Sequence, residues 1–434
     1  MRRVLSFCLL ACLPLVAQQA PIPTATAVSG EPFFIKKTWP IGGNGNWDYL
    51  TIDPAAERLY IAHGRGVQVV DLESGSVAGE IGGFREAHAI ALDDIGQYGY
   101  ISDGPANAIA VFNRRTLKIG ATISIGCAPR SIAFEPQSKL VFAVCGSNVV
   151  SSSTPPPDRR APNSSRAPRA PGSADQEIFT GVSHVIVIDT QANAAIADVA
   201  VAGDFRFAQA DGAGAVYVTV AQSERPENLK YGISHRIVAQ QRIAKFDGSA
   251  IATEAKRLRH AAAATAPGSP VFMDWSESDN PARPGFTSTP LPSACKQPQG
   301  FAVDSRHQRI FVACDNQQFV VLDSGGGNVV TTLTTGPGDD VIGYDADRGL
   351  LYSANGGGYG SLTIIQQDAN TDSYSVIQNL PTMERARTLA VDPSTGQVYL
   401  VTDLHGVDLT KMGGIGTLRS NPIPGSFQVI VIGH

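Results

Sequence analysis

The sequence predicts an all-β protein with the architecture of a seven-bladed β-propeller. Three observations predict it. A strand–turn–strand pattern recurs seven times, its central aromatic residues are repeatedly spaced about 40 residues apart, and the 44 glycines suit a chain rich in tight turns. A period near 40 residues with several strands per repeat is typical of propeller blades. We therefore expect the 434 residues to form one repeat array rather than several unrelated domains.

Each repeat begins with an apolar strand that ends in a turn, followed by a second strand around an aromatic residue. Two instances are LTIDPAAERLYIAHG (50–64) and LAVDPSTGQVYLVTD (389–403). The central aromatics are Tyr60, Tyr100, Phe142, Tyr217, Phe311, Tyr352 and Tyr399. A third apolar strand and a more polar fourth strand complete the blade, because inner strands are buried between neighbours and the outer edge meets water.

The two ends of the array predict how the ring closes. The chain ends at His434, just after the third strand of the last repeat, and segment 32–43 is a strand without a repeat of its own. Closing the ring removes the free sheet edges of an open array. We therefore expect the N-terminal strand to complete the C-terminal blade.

The N-terminal segment predicts export. Residues 1–20 have the charge and hydrophobicity of a secretory signal peptide, residues 21–31 form a linker, and residues 32–434 form the propeller. The run Leu9-Leu10-Ala11-Cys12 also resembles a lipobox, so lipoprotein anchoring through Cys12 stays open beside simple cleavage. We expect a periplasmic or secreted protein without a membrane span, since no segment has roughly 20 consecutive apolar residues.

Four long insertions interrupt the repeats, at residues 147–183, 222–242, 260–294 and 404–425. We place 260–294 between the fourth and fifth blades and the other three between the second and third strands of their blades. Connections of both kinds lie on one face of a propeller, so all four insertions should project from that face. Long insertions are usually functional or disordered. The aromatic-rich 260–294 segment is either a packed loop or a lid over the channel.

Four cysteines lie in equivalent places of blades three and five. Cys127 and Cys145 flank one hairpin, and Cys295 and Cys314 flank another. Since flanking positions of an antiparallel hairpin are neighbours, we expect disulfides Cys127–Cys145 and Cys295–Cys314. Metal binding or a redox-active pair is the alternative interpretation.

Polar residues at strand ends predict a candidate ligand site at the mouth of the central channel. The starts of the first strands supply Asp48, His88, Arg130, Arg206, Gln299, Asp340 and Arg387, and the ends of the second strands supply His63, Asp103, Asp315, Asn355 and Asp403, with His405 beyond. The arginines suit a carboxylate or phosphate, because a guanidinium donates two parallel hydrogen bonds. His63, His88 and Asp103 come from adjoining blades and would together suit a metal or an acid–base set. A polar channel lined only by water is the alternative, and we expect no bound metal.

Motifs in the second strands carry a family resemblance. Tyr-Ile-Ala-His (60–63), Tyr-Val-Thr-Val (217–220) and Tyr-Leu-Val-Thr (399–402) resemble the YVTN repeat, as does the Asp-Pro turn before Gly-Gln-Val-Tyr (396–399). The chain after residue 30 resembles the YncE-like, YVTN-type seven-bladed propellers. The resemblance implies the fold and a function among binding and surface proteins. Related propellers that carry haem d1 or serve amine dehydrogenases are not implied, because the chain has no Cys-x-x-Cys-His motif, and we expect no cofactor.

These observations favour an exported, non-enzymatic binding or scaffold protein that uses the inserted face. Its partner would be an unidentified protein or small molecule, and we expect a monomer. A hydrolase or lyase acting at the channel mouth is the alternative. Single-stranded nucleic-acid binding, which the family type also implies, is less favoured, because the net charge of −5 gives no electrostatic attraction for phosphates.

Overall fold

The structure is a computed structural model that describes residues 31–146, 149–151, 177–179, 181–229, 232–261, 269–276, 283–407 and 420–434. The predicted signal segment with Cys12, residues 21–30 of the linker, and most of the 147–183 and 404–425 insertions lie outside these residues. The described part is built almost wholly from β-strands, with one α-helix.

Seven sheets form the ring, one sheet per blade, with the first strand of each blade nearest the axis. The chain enters through β1 (Phe34–Pro40) and then builds blades one and two. Blade one comprises β2 (Trp47–Asp53), β3 (Arg58–His63), β4 (Gly66–Asp71) and β5 (Val77–Gly82). Blade two comprises β6 (Ala87–Leu92), β7 (Tyr98–Asp103), β8 (Ala108–Asn113) and β9 (Ile119–Ser124).

Blades three and four each carry an inserted hairpin after their second strand. Blade three contains β10 (Pro129–Glu135) and β11 (Leu140–Cys145), the hairpin β12 (Val149–Ser151) and β13 (Glu177–Phe179), then β14 (Val182–Asp189) and β15 (Ala194–Ala202). Blade four contains β16 (Asp204–Ala210) and β17 (Ala215–Ala221), the hairpin β18 (Ser223–Leu229) and β19 (Gly232–Ala239), β20 (Arg242–Asp247) and β22 (Phe286–Pro290). Helix α1 (Gly248–Ala261) and strand β21 (Val271–Trp275) lie between β20 and β22 in the chain.

The remaining blades complete the circle. Blade five comprises β23 (Pro298–Asp304), β24 (Arg309–Cys314), β25 (Gln318–Asp323) and β26 (Val329–Thr334). Blade six comprises β27 (Asp339–Asp345), β28 (Leu350–Asn355), β29 (Ser361–Asp368) and β30 (Ser373–Pro381). Blade seven comprises β31 (Leu389–Asp392), β32 (Gln397–Thr402), the hairpin β33 (His405–Val407) and β34 (Ser420–Pro422), and β35 (Gln428–Gly433).

The N-terminal strand closes the ring, as the sequence predicts. Strand β1 is the outermost strand of blade seven and pairs antiparallel with β35, from Phe34 opposite Gly433 to Pro40 opposite Gln428. The last blade therefore has four strands drawn from both ends of the chain, and the prediction of a seven-bladed propeller is confirmed.

Repeated residues explain why each hairpin forms. All seven central aromatics are buried between neighbouring blades, where they supply much of the apolar surface that holds the ring together. The acidic residue that ends most first strands accepts hydrogen bonds from the turn that follows it. Asp392, for example, accepts the N–H of Ser394 at 2.9 Å, and Asp53 accepts that of Ala56 at 3.1 Å. The apolar alternation and the turn chemistry therefore specify the same hairpin.

Residues 260–294 do not link blade four to blade five, in contrast to the expectation from the sequence. Strand β22 is the outer strand of blade four, and β21 lies parallel to β15 as a fifth strand of blade three. The segment from α1 to β21 thus leaves the ring between a third and a fourth strand, on the face opposite the three inserted hairpins. Met273 and Trp275 of β21 are buried against blade three at the outer edge of its sheet, so this segment is not placed as a lid over the channel.

Both predicted disulfides are present. Cys127 bonds to Cys145 and Cys295 bonds to Cys314, with Cα–Cα distances of 6.0 and 5.3 Å. Each bond ties the start of a blade to the end of its second strand. Among the described residues, no helix has the length and apolar character needed to cross a bilayer.

Candidate functional site

The first strands of six blades surround a central cavity of ≈500 Å³. Apolar side chains such as Ile52, Phe134 and Val391 line it, but polar atoms make up slightly more of its lining surface than apolar atoms do. Two aromatic side chains narrow the cavity. Tyr49 of blade one and Phe207 of blade four contact each other across it, with ring centroids 5.1 Å apart. The channel therefore combines apolar side chains with polar lining atoms, and no charged side chain is among the described residues that line it.

A β-bulge opens the first strand of blades one to six. In each, the pairing register shifts within the first few residues, for instance between Trp47 and Leu50 and between Ala87 and Ile90. The bulges contain Asp48, His88, Arg130, Arg206, Gln299 and Asp340, together with Tyr49, Ala89, Phe207 and Gly300. A bulge re-aims a side chain and ends regular pairing, which frees these polar groups from the sheet. The repeat thus delivers one polar side chain per blade to the inserted face, and Arg387 reaches the same place just before β31.

Several of these side chains pair across blades. His88 Nδ1 lies 2.9 Å from Asp48 Oδ2, and Arg387 Nε lies 3.3 Å from Asp340 Oδ2. Arg206 Nε lies 2.8 Å from Oδ2 of Asp204 in its own strand. The mouth therefore presents both signs of charge in fixed pairs, a feature that favours a ligand with polar or charged groups over an apolar one.

Burial controls protonation at the mouth. It raises the pKa of Asp340 to about 6, with the Arg387 guanidinium opposing the shift. Burial raises the pKa of Tyr49 well above its usual value, and the charges of Asp48 and Asp340 raise it further. The Tyr49 phenol therefore stays neutral. Burial lowers the pKa of His88, but the hydrogen bond and charge of Asp48 outweigh it, and the pKa of His88 is raised.

Other predicted site residues have structural partners instead. His63 Nδ1 contacts Gln68 Oε1 at 2.8 Å, and its ring packs on Phe427 with centroids 4.0 Å apart, at the seam of blades one and seven. The Asp103 carboxylate accepts the N–H groups of Arg85 and Glu86 at 2.9 and 3.1 Å. The expected grouping of His63, His88 and Asp103 is therefore not formed. His63 contacts side chains at the boundary between two blades, and Asp103 binds the backbone of a loop.

Two further residues of the predicted site, Asp403 and Asn355, also contact side chains of their own blade. Asp403 pairs with His405 at 2.9 Å, and the Asn355 amide donates to Ser361 and Thr363 at 3.1 and 2.9 Å. Within the described ranges, the structure contains no group of three or more His, Cys, Asp or Glu side chains able to hold a metal ion.

A second hollow of ≈310 Å³ opens beside the channel mouth, between blades five, six and seven. We call it the rim pocket; it is lined by Gln299, Asp315, Gly338, Asp339, Asp340, Gly356, Gly357, Arg385 and Arg387. The sequence pointed to Gln299, Asp315, Asp340 and Arg387 but not to Asp339 or Arg385. The doubled aspartate at the start of β27 and the Arg-Ala-Arg run before β31 were the available signals.

Asp339 is the most perturbed acid of the rim pocket. It is only 2% exposed, and burial raises its pKa to about 8. Its Oδ2 accepts the hydroxyl of Thr335, while Oδ1 has no hydrogen-bond partner among the described residues. A buried polar atom without a partner is uncommon, and it often marks the position of an absent ion, water or ligand.

Replacing Asp339 with asparagine is expected to flatten the pH dependence of stability. A carboxyl whose pKa is higher in the folded chain keeps its proton preferentially there, so stability falls as pH rises from about 4 to about 8. Between pH 5 and pH 8.5 the wild type should lose on the order of 3 kcal/mol more than D339N, measured by urea unfolding. The exposed D347N variant of the same blade should follow the wild type, and parallel curves for wild type and D339N would contradict the assignment.

Comparison with solved structures identifies the class of fold. The chain is similar to "Crystal structure of RRP9 WD40 repeats", with a TM-score of 0.57 and 9% identity over 94% of this chain and 99% of that one. It is also similar to "Structure of U3-55K", with a TM-score of 0.56 and 9% identity over 92% and 98% of the two chains. No family model and no curated protein matches the chain. The likeness shows a seven-bladed, WD40-like β-propeller.

Proposed function

We propose that this protein is a non-enzymatic binding propeller that holds a small polar ligand at the channel mouth on the inserted face. The observation that carries the proposal is the set of bulges, which bring polar side chains from six blades to one place above the central cavity. Small-molecule sites commonly combine apolar walls with a few fixed polar groups that set orientation. Here the channel supplies the walls and the paired charges supply the orienting groups.

We also propose that the chain is an exported member of the YncE-like, YVTN-type propellers. The YVTN-like second strands support the family, and the signal-like residues 1–20 support export. Two disulfides are compatible with an oxidising compartment such as the periplasm or the extracellular space. The inserted hairpins of blades three and four contact each other beside the mouth, which would enlarge the surface open to a partner.

Mass spectrometry of the full chain, purified from its own exported fraction, tests the binding proposal. We expect a mass excess under native conditions that disappears on denaturation. The R206Q variant should retain at least tenfold less of that molecule, because a hydrogen bond to a charged group contributes roughly 1.5–3 kcal/mol. The R115Q variant, altered at an exposed turn on the opposite face, should retain as much as the wild type. Equal native and denatured masses would contradict a tightly held ligand.

A hydrolase or lyase is the second candidate, and the Asp48–His88 contact is the observation that favours it. A carboxylate 2.9 Å from an imidazole nitrogen fixes the tautomer and orientation that a general base requires. If the mouth is catalytic, the molecule recovered from it should be converted on incubation with wild type and not with H88A. Recovery of the unchanged molecule from the wild type after prolonged incubation would exclude this candidate.

A further inference from the structure

The rim pocket has walls of opposite charge. Asp315, Asp339 and Asp340 line it from blades five and six and form its acidic wall, and Arg385 and Arg387 line it from blade seven and form its basic wall. Its ≈310 Å³ lies at the lower end of the range for small-molecule sites, so it suits a compact ligand. The glycines leave the floor without side chains; a Cβ on Gly338, for instance, would lie 2.7 Å from the backbone nitrogen of Gly357.

The acidic wall lacks a hydrogen-bond donor. Asp339 is almost fully buried, and Oδ1 of its carboxyl has no partner in the described part of the chain. Leaving such a buried atom unpaired is destabilising, and a bound donor would remove that cost. An ammonium group supplies three N–H donors and a positive charge, and it would meet the neighbouring carboxylates of Asp315 and Asp340 at the same time.

The basic wall is held ready for an anion. The Arg385 guanidinium lies over the Trp47 ring, 5.0 Å from its centroid, and contacts Nε2 of His405 at 2.5 Å. Arg387 faces Asp340 through Nε, and its side chain is 46% exposed. A guanidinium has five N–H donors, so the Nε contact leaves the terminal amino groups able to bind a carboxylate in bidentate fashion.

We infer that the rim pocket binds a small zwitterion of the α-amino acid class, with its ammonium group on the acidic wall and its carboxylate on Arg387. The short separation of the walls selects this class. Arg387 Nε and Asp340 Oδ2 are paired at 3.3 Å, so groups of a ligand that bind beside each of these two side chains must also be close together, as they are across a single α-carbon. The inference rests on the proposed function and names the chemistry of its ligand.

Calorimetry on the full chain tests the inference. The twenty L-amino acids are screened singly at 10 mM by thermal shift, and the one that stabilises most is titrated with its deaminated acid, its decarboxylated amine and CaCl₂ alongside. The amino acid should bind, and loss of either charge should weaken binding at least tenfold. The variants D339N and D315N should weaken it at least tenfold as well. D347N, which changes an exposed aspartate at the other end of blade six, should bind like the wild type.

A pH series adds an independent readout. Because burial holds a proton on Asp339 at neutral pH, an ammonium group must displace that proton, and the affinity should rise several-fold from pH 6 to pH 8. The charged groups that act on Asp339 are Asp315 and Asp340, and burial raises the pKa of Asp340 to about 6. In D339N this rise should be smaller.

The outcomes separate this inference from the proposed function. No binding by any amino acid, equal binding of the deaminated acid, or tighter binding of Ca²⁺ alone would each overturn the zwitterion. If a molecule of another class is retained by the wild type and released in R206Q, the channel mouth still binds a ligand and only the inference fails. If neither the native mass nor any probe reveals a ligand, both fail.

Discussion

Replacing Arg114 with alanine should lower the free energy of unfolding by about 3–5 kcal/mol, the usual cost of removing one partner from a buried ion pair. Arg114 is 8% exposed and joins blades one and two on the face opposite the inserted hairpins. Its Nε donates to Asp53 Oδ2 at 3.1 Å, and its Nη1 donates to the carbonyl and the carboxylate of Asp93 at 2.7 and 3.1 Å. Alanine would leave two buried carboxylates without their cation.

The adjacent Arg115 provides the matched control, since it has the same chemistry but is exposed. Equilibrium urea unfolding of R115A should differ from wild type by less than about 0.5 kcal/mol. The triple variant D53N/R114M/D93N should recover part of the loss, because it removes the stranded charges as well as the pair. A loss below about 1 kcal/mol for R114A would mean that water replaces the guanidinium and that the network is not buried in solution.

The fold could be predicted from the sequence where the repeat is regular. It could not be predicted in the irregular segment of blade four. Seven copies of one hairpin pattern reinforce each other, so that errors at single strands do not change the architecture. Residues 248–290 have no second copy for comparison. The polar Phe-Thr-Ser-Thr-Pro of β22 resembles a loop because an outer strand meets water on its free edge. Strand β21 joins a different blade from its sequence neighbours, a parallel pairing that no local pattern encodes.

The candidate site was also predictable only in part. The repeat fixes the position of each first-strand residue, so Asp48, His88 and Asp340 could be placed at the mouth by counting. The hydrogen bonds made by the side chains at the ends of the second strands are not repeated from blade to blade. His63 and Asp103 occupy equivalent strand ends, yet one packs on an aromatic ring and the other holds a loop. Asp339 was missed because its unusual protonation follows from burial, which only the packed structure shows.

Replacing Trp39 with alanine should destabilise the protein by about 3–5 kcal/mol, a typical cost for a buried tryptophan. Trp39 lies on β1 opposite Val429 and is 8% exposed. Its ring packs on Tyr399, with centroids 5.8 Å apart, and covers Gly75 of blade one. The side chain thus joins the closing strand to both sides of the seam between blades seven and one. Urea unfolding should show the loss in W39A, and T38A, altered at the exposed neighbouring position, should change stability by less than about 0.5 kcal/mol.

A double-mutant cycle with Gly75 isolates the seam contact. A Cβ at Gly75 would lie 2.4 Å from the Trp39 ring, and the residue has φ of +70°, so G75A should be costly in the wild type through both the clash and the backbone strain. In W39A the clash is absent and only the strain remains, so the cost of G75A should fall by at least 1 kcal/mol. Additive effects would place the Trp39 ring away from blade one. The ring of seven blades would then be closed by the backbone pairing of β1 with β35 alone, without support from the Trp39 side chain.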